Sequence, residues 1–397
     1  MTALKQYDHP AHFEPLLPSA MYMTRLAARA RPVVEAALRL QGALTLDTRS
    51  ELRELVRAMN SYYSNGIEGQ STHPLNIEKA LRQDFSDTPE IAKRQRIALA
   101  HIEAEKALEA LALPEVDAFK SETLRTAHEY LYQRLAVEDR QSDDGQEVVP
   151  GRWREVQVAV YRHEPPPAAA IALFLARTDS VYASGHGLET LLTVAACAHH
   201  RLAWVHPFLD GNGRAIRLQL HAGLHVLTGG LWSANRGLAR QRDRYYRCLS
   251  EADMARQGDV DGWGNLSERM LVQWCEFFID VCRDQVDFMT ALLQPQTLKA
   301  RLGALIRVRM AERADYREEL ILPLLHVLAV GPVSRKDFTQ MTGLGATTAR
   351  KSMSRLLRDG LLKSASHKSE VHIGIPLDAL SILFPNLYPE AAAVSLE

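Results

Sequence analysis

A chain of 397 residues exceeds one average domain, and its 46% apolar and 24% charged content composes folded domains and excludes large-scale disorder. The formal net charge of −1 excludes a whole-chain attraction to nucleic acid or anionic membrane, so any basic patch must be local. Cys197, Cys248, Cys275 and Cys282 form no C-x-x-C pair and read as reduced thiols, the N-terminus lacks a basic-then-apolar leader, and no stretch approaches a membrane span; the expectation is a soluble, cytoplasmic protein.

Residues 24–60 carry apolar positions at helical spacing (Leu26, Val33, Val34 and Ala37, then Leu52, Val56 and Met59), with Thr45–Thr48 dividing two helices, the second ending in SYYSNGIEGQST. From Leu111 to about Val286 the pattern is again helical, interrupted at GRWREVQVAVYRHEPPP. There Val156, Val158 and Val160 alternate with Glu155, Gln157 and Ala159, which predicts a short β-hairpin flap ended by Pro165–Pro167. Leu298–Arg317 reads as a charged linking helix. Beyond it come a helix over Leu320–Ala329, a short one over Ser334–Met341, a TGLGAT turn, a helix over Thr347–Asp359, and a strand-like pair near Lys363 and Val371–Ile375. That order resembles a winged helix-turn-helix. The expected fold is therefore all-α with a small β-hairpin flap and a C-terminal winged helix-turn-helix. Its expected parts are an N-terminal helical region (1–110), a catalytic domain (111–295), a linker helix (296–318) and the winged helix (319–397).

The chemistry concentrates in His206–Arg217, HPFLDGNGRAIR, a glycine-rich loop between two apolar helices. Gly211 and Gly213 let the backbone approach a ligand, and their amides with the following helix N-terminus suit phosphate oxygens. Arg214 and Arg217, three apart, reach one polyphosphate; Asp210 is a hard oxygen ligand for Mg²⁺; His206 is a base of near-neutral intrinsic pKa. Each part alone is an ordinary loop residue or a solvated helix face; together they are hard to assign to packing.

His206–Arg217 resembles the Fic signature H-P-F-x-[D/E]-G-N-G-R-x-x-R at every specified position. The resemblance implies a protein adenylyltransferase that moves AMP from ATP to a Tyr, Thr or Ser hydroxyl of a target or of itself. It implies His206 as general base, Asp210 on Mg²⁺, Asn212 with the loop amides on the α- and β-phosphates, Arg214 on the β-phosphate side and Arg217 on the γ-phosphate. His199, the flap residues Val158, Val160 and His163, and the pair Tyr245–Tyr246 also resemble the family, the flap holding the target by strand addition and Tyr245 lying near the adenine or in the core. Some relatives transfer UMP, phosphate or phosphocholine, and helical relatives often dimerise, so a homodimer stays open.

Ser64-Asn-Gly-Ile-Glu68-Gly69 resembles the family's inhibitory motif, which implies that Glu68 pairs with Arg217 and leaves ATP badly oriented. Local sequence alone reads Glu68 as a surface residue and Ser64 as a helix N-cap. The same glutamate could instead position water for removal of AMP. Residues 334–372 hold eight Lys and Arg against three acids, a net +5, with Thr347, Thr348, Arg350, Lys351, Arg355 and Lys368 placed to meet DNA; such modules equally bind proteins or pack against neighbours. The alternative function is a DNA-binding regulator whose Fic core senses nucleotide.

Overall fold

The computed structural model describes residues 7–112, 117–142, 144–160, 163–183 and 186–388. Four α-helices precede the stretch that holds the 206–217 loop: α1 (Ala20–Gly42), α2 (Leu46–Ile67), α3 (Pro74–Leu81) and α4 (Pro89–Ala110). Thr45 caps α2 by accepting from the Thr48 amide, and proline at the first turn starts both α3 and α4. Then follow α5 (Ser121–Tyr132), α6 (Ile171–Tyr182), α7 (Leu188–Val205), α8 (Asn212–Gly223), α9 (His225–Thr228), α10 (Ala234–Arg240), α11 (Arg242–Ala252) and α12 (Glu268–Leu292).

α7 is apolar nearly all round and accordingly buried nearly all round. α1 and α12 pack along it, and Trp274 of α12 donates its indole N–H to the Ala196 carbonyl at 2.7 Å. The N-terminal helices thus share the core with the helices around the 206–217 loop: one apolar cluster runs from Phe13 through Val205 and Trp274 to Leu387. A smaller cluster, including Ile97, Ala104, Leu131, Tyr132 and Leu218, locks α4 and α5 onto α8.

The C-terminal part comprises α13 (Pro295–Glu312), α14 (Ile321–Val330), α15 (Arg335–Met341), α16 (Ala346–Arg358), β1 (Leu362–Lys363), β2 (His372–Ile373) and α17 (Leu377–Leu383). β1 and β2 are antiparallel, Leu362 opposite Ile373 and Lys363 opposite His372, the one sheet among the described residues. Gly343 takes φ +66°, the left-handed turn anticipated between α15 and α16. The helix–turn–helix–hairpin order is as the sequence reading has it. The expected linker is no free spacer, because Leu298, Leu302, Leu305 and Ile306 of α13 are buried against α14 and α17.

α2 is gripped from this side. Thr48 Oγ1 donates to the Leu328 carbonyl at 2.6 Å, Lys363 pairs with Glu51 at 2.6 Å, and Tyr63 Oη donates to the Leu387 carbonyl at 2.9 Å, while Tyr388 packs on Tyr62 and Tyr63.

The β-hairpin flap is not formed as expected. Among the described residues of the 151–163 segment only a bridge between Val160 and His163 pairs, Val156 is 43% exposed, and no backbone–backbone hydrogen bond reaches residues 155–159; residues 161 and 162 lie outside the described residues. Alternating valines signal an extended segment, but among the described residues no strand pairs with 155–159. No helix among the described residues is long and apolar enough to cross a membrane.

The core makes a stability prediction. Phe278, fully buried on α12, truncated as Phe278→Ala is expected to cost about 3–5 kcal/mol, read as a lower urea midpoint with an unchanged slope.

Candidate active site

The loop between α7 and α8 begins at His206, whose backbone takes the left-handed conformation (φ 47°, ψ 62°) and ends α7. A non-glycine residue there needs support. Arg154 supplies it: buried under the loop, it donates Nε to the His206 carbonyl at 2.8 Å, Nη1 to the Val156 carbonyl at 2.9 Å and Nη2 to the Pro166 carbonyl at 2.5 Å, while its amide donates to the Pro207 carbonyl at 2.8 Å. Burial among neutral carbonyls pulls its guanidinium down to about 10.

Asn212 closes the loop on itself. Its Oδ1 accepts from the Phe208 amide and its Nδ2 donates to the Phe208 carbonyl, both at 2.9 Å, so the side chain shapes the loop and its backbone N–H faces outward as part of the helix start. Gly211 sits at φ +76°, and a β-carbon there would overlap the Tyr132 ring. A β-carbon on Gly213 would run into the Glu68 carboxylate.

Beneath the loop, Phe208 stacks on His128 with ring centroids 3.8 Å apart, and His128 stacks on Tyr132. His128 Nδ1 accepts from the Gly151 amide at 2.9 Å, which leaves Nε2–H to donate to the Asp210 carbonyl at 3.1 Å. Burial holds this imidazole down to about 3, so it stays neutral. Tyr132 Oη donates to Asp210 Oδ2 at 3.0 Å and accepts from Arg214 Nη2 at 2.8 Å. Arg214 Nη1 donates to Gln70 Oε1 at 3.1 Å. Arg154, His128 and Tyr132 escape a motif reading because they are distant in sequence; the only hint was the proximity of Arg154 to the prolines that close the flap.

Arg217, 1% exposed, donates Nε to Ser64 Oγ at 2.9 Å and Nη2 to both the Ser64 carbonyl at 3.0 Å and Glu68 Oε1 at 2.6 Å. Ser64 is thus not a helix N-cap: it lies buried in the last turn of α2, and Glu68 caps that helix. Burial would raise the Glu68 carboxyl, but the charge and hydrogen bond of Arg217, with the charge of Arg214, outweigh it and hold Glu68 below the usual carboxylate range. The Glu68 side chain keeps 33% of its surface.

A cavity of about 1080 Å³ opens over this arrangement, lined by Glu68, His206, Asn212, Gly213, Arg217 and Tyr245 among others, with Val160 and His163 at its flap side. Asp210 and Arg214 are not among the lining residues. Val158 is only half-buried and lies outside that lining. Burial, Arg154 and His163 lower the His206 imidazole to about 4, so it is neutral at physiological pH. Tyr245, 3% exposed, bonds His199 Nε2 through its hydroxyl at 2.8 Å, at once core and cavity wall. Tyr246 and Arg242 fix the end of α2 by donating to the Ile67 carbonyl at 3.3 and 3.0 Å.

Asp210 fits a Mg²⁺ bound together with phosphates. Its carboxylate is 41% exposed and oriented by Tyr132 and its own Gly211 amide, with lone pairs left over; Mg²⁺ ordinarily takes only one or two protein carboxylates in such sites.

One stability prediction follows. Tyr132→Phe deletes the bond to Asp210 and strips Arg214 of an acceptor, expected to cost about 1–3 kcal/mol by thermal or chemical unfolding.

Residues 118–224 match the profile of the Fic/DOC family. The chain is 36% identical over 112 residues to the protein adenylyltransferase Fic of Drosophila erecta and, equally, to that of Drosophila melanogaster; the match covers 28% of this chain and 21% of each relative. The chain thus spans about a fifth of the length of these curated relatives. In structure it is similar to a Fic family protein from Desulfovibrio desulfuricans, with a TM-score of 0.52 and 18% identity over 91% of this chain and 98% of that one, a likeness of fold. Ser64, Glu68 and Tyr245 lie outside the matched profile. Residues 118–224, which hold the His206–Arg217 loop and its Arg154, His128 and Tyr132 supports, therefore carry a Fic/DOC family domain.

Proposed function

We propose that this chain is a protein adenylyltransferase that transfers AMP from ATP to a Tyr, Thr or Ser hydroxyl of a protein, itself included, and that Glu68 restrains it. The observation that carries the reading is the convergence, on one cavity, of a neutral His206, the free amides that start α8, and Arg217. The name borne by the matched relatives supports it.

In this mechanism the target hydroxyl oxygen attacks the α-phosphorus, its proton passes to the His206 imidazole, and the bond from the α-phosphorus to the bridging oxygen breaks to release pyrophosphate. The amides of the first α8 turn and the Arg217 guanidinium would meet phosphate oxygens. Asp210 would hold Mg²⁺, which when bound offsets phosphate charge. Arg214, committed to Tyr132 and Gln70, acts from behind the loop. The unpaired 155–159 backbone could take the target segment by strand addition.

Glu68 occupies Arg217 and the space above Gly213, where an incoming phosphate would need to lie. Arg217 then keeps only its Nη1 donors, and a nucleotide is held out of line for attack. The same carboxylate could orient water for AMP removal. Intact-mass spectrometry after incubation with ATP and Mg²⁺ tests this. Glu68→Gly is expected to gain AMP at least about tenfold faster than wild type, a removed hydrogen-bonded charge being worth more than one factor of ten, and Glu68→Gly/His206→Ala none. Equal labelling of wild type and Glu68→Gly would sink the inhibitory role, and transfer without His206 would sink the base. Offering UTP, CDP-choline or ATP in parallel reads the transferred group.

The pH dependence has a definite sign. A base titrating at about 4 stays competent as pH falls through 6.5, so kcat/KM of Glu68→Gly should hold to about pH 5 and decline towards 4. Because Glu68 titrates below its ordinary value, its pairing is present at neutral pH and is lost only as pH falls through that lowered value, so mild acid should not relieve wild type.

A second reading concerns α16. Thr347, Arg350, Lys351, Ser354 and Arg358 share its exposed face beside exposed Lys336 and Lys368, the footprint of DNA recognition by a winged helix. Arg355 does not belong to that face, being paired with Asp315 and Asp359, and Thr348 is half-buried. If this face binds duplex DNA, Arg350→Ala/Lys351→Ala should weaken it and lower the salt slope by about 2 in fluorescence anisotropy; unchanged binding would remove α16 from the reading.

A further inference from the structure

One helical turn beyond Arg217, α8 presents His221 towards α4, where two carboxylates await it. His221 Nε2 stands 3.3 Å from Glu109 Oε1 and 3.4 Å from Glu105 Oε1. Just past the end of α8, His225 brings a further imidazole, and one ligand atom each from Glu109, His221 and His225 lie within 4.8 Å of one another. His225 Nδ1 is itself buried and finds no hydrogen-bond partner among the described residues, although a buried imidazole nitrogen ordinarily has one.

We propose that Glu109, His221 and His225 form a binding site for a divalent transition metal, fitted best by Zn²⁺. Two imidazoles and one carboxylate are the borderline donor set that Zn²⁺ takes, whereas Mg²⁺ and Ca²⁺ require oxygen throughout. Ligand atoms at about 2.0–2.2 Å from a tetrahedral ion are about 3.3–3.6 Å apart, and the Glu109–His221 separation of 3.3 Å already has that length. The His225 ligand atom, within 4.8 Å of the other two, would have to close that gap to join them.

The surroundings are built as a metal site's usually are. Glu109 offers Oε1 inward while Oε2 is held by Arg57 of α2. Asn60 Nδ2 donates to both oxygens of Glu105 at 3.0 and 3.1 Å and lies 3.3 Å from His221 Nδ1. Glu105, 1% exposed, and Glu109 both face His221, and Arg57 is shared between Glu109 and Glu54. Glu109 and His225 are half-buried, which leaves a way in from solvent. Bound there, the ion would tie α4, α8 and α9 together and, through Arg57, α2. The site is separate from the loop at His206–Arg217 and does not depend on the transfer chemistry.

The test uses the full untagged chain, stripped with chelator, desalted and kept in excess Mg²⁺ so that Asp210 does not compete. Zn²⁺ is titrated against a chromophoric chelator, and Co²⁺ is added separately for its visible spectrum. Wild type is expected to take up one tight equivalent of Zn²⁺, to give the intense bands of tetrahedral Co²⁺, and to melt at higher temperature with Zn²⁺. His225→Ala, at a half-exposed position that should leave the fold intact, and Glu109→Gln, which keeps the side-chain shape, should each weaken Zn²⁺ by more than about a hundredfold and abolish the shift in melting temperature. Cys197→Ser, which breaks the buried Cys197–Cys275 thiol pair 3.5 Å apart, should keep the equivalent. No tight uptake by wild type, undiminished uptake by His225→Ala, or loss of the equivalent in Cys197→Ser would each overturn the site.

Discussion

Two guanidinium groups sit almost wholly out of water at the start of α8, and a buried arginine without partners is too costly to keep. Arg214 is answered from α5 by Tyr132 and from the segment after α2 by Gln70; Arg217 is answered by Ser64 and Glu68 at the end of α2. These partners come from two places, α5 and the end of α2 with the residues just after it. The requirement to neutralise both cations therefore fixes where α2 and α5 stand relative to α8, and the small apolar cluster of α4, α5 and α8 holds them there.

The two arginines are compensated differently. Arg214 meets a phenol, an amide oxygen and a more distant carboxylate, which orient it without filling the cavity. Arg217 meets a carboxylate that itself lines the cavity, so its compensation takes up ligand space. Gly213 makes this geometry available, since any β-carbon would collide with Glu68. His206 is kept neutral by the same dry surroundings that make the arginines expensive, so one dielectric environment sets both the protonation of the imidazole and the charges around it.

Much of the site was legible because it is contiguous. A loop whose glycines, arginines and histidine all lie within twelve residues announces itself, and the SNGIEG stretch carried enough pattern to be paired with it. Arg154, His128 and Tyr132 were not legible: each acts through the loop's backbone or a neighbouring side chain, contacts that no local spacing records. The flap was over-read. Alternation over Val156–Val160 reports an extended backbone, and whether it becomes a strand depends on a neighbour that a single sequence does not display. In the C-terminal part, net charge predicted a basic face but not which charges are spoken for, and Arg335, Arg355 and Lys363 turn out to be engaged within the protein.

α2 has two contact surfaces that face different parts of the molecule. Its last turn holds Arg217, while Thr48, Glu51, Tyr62 and Tyr63 hold α14, the hairpin and the segment around Tyr388. An element so shared couples the two surfaces: any ligand of the C-terminal face that favours α2 docked over α2 displaced must alter the affinity of whatever binds at Arg217, which must alter the affinity of that ligand by the same factor.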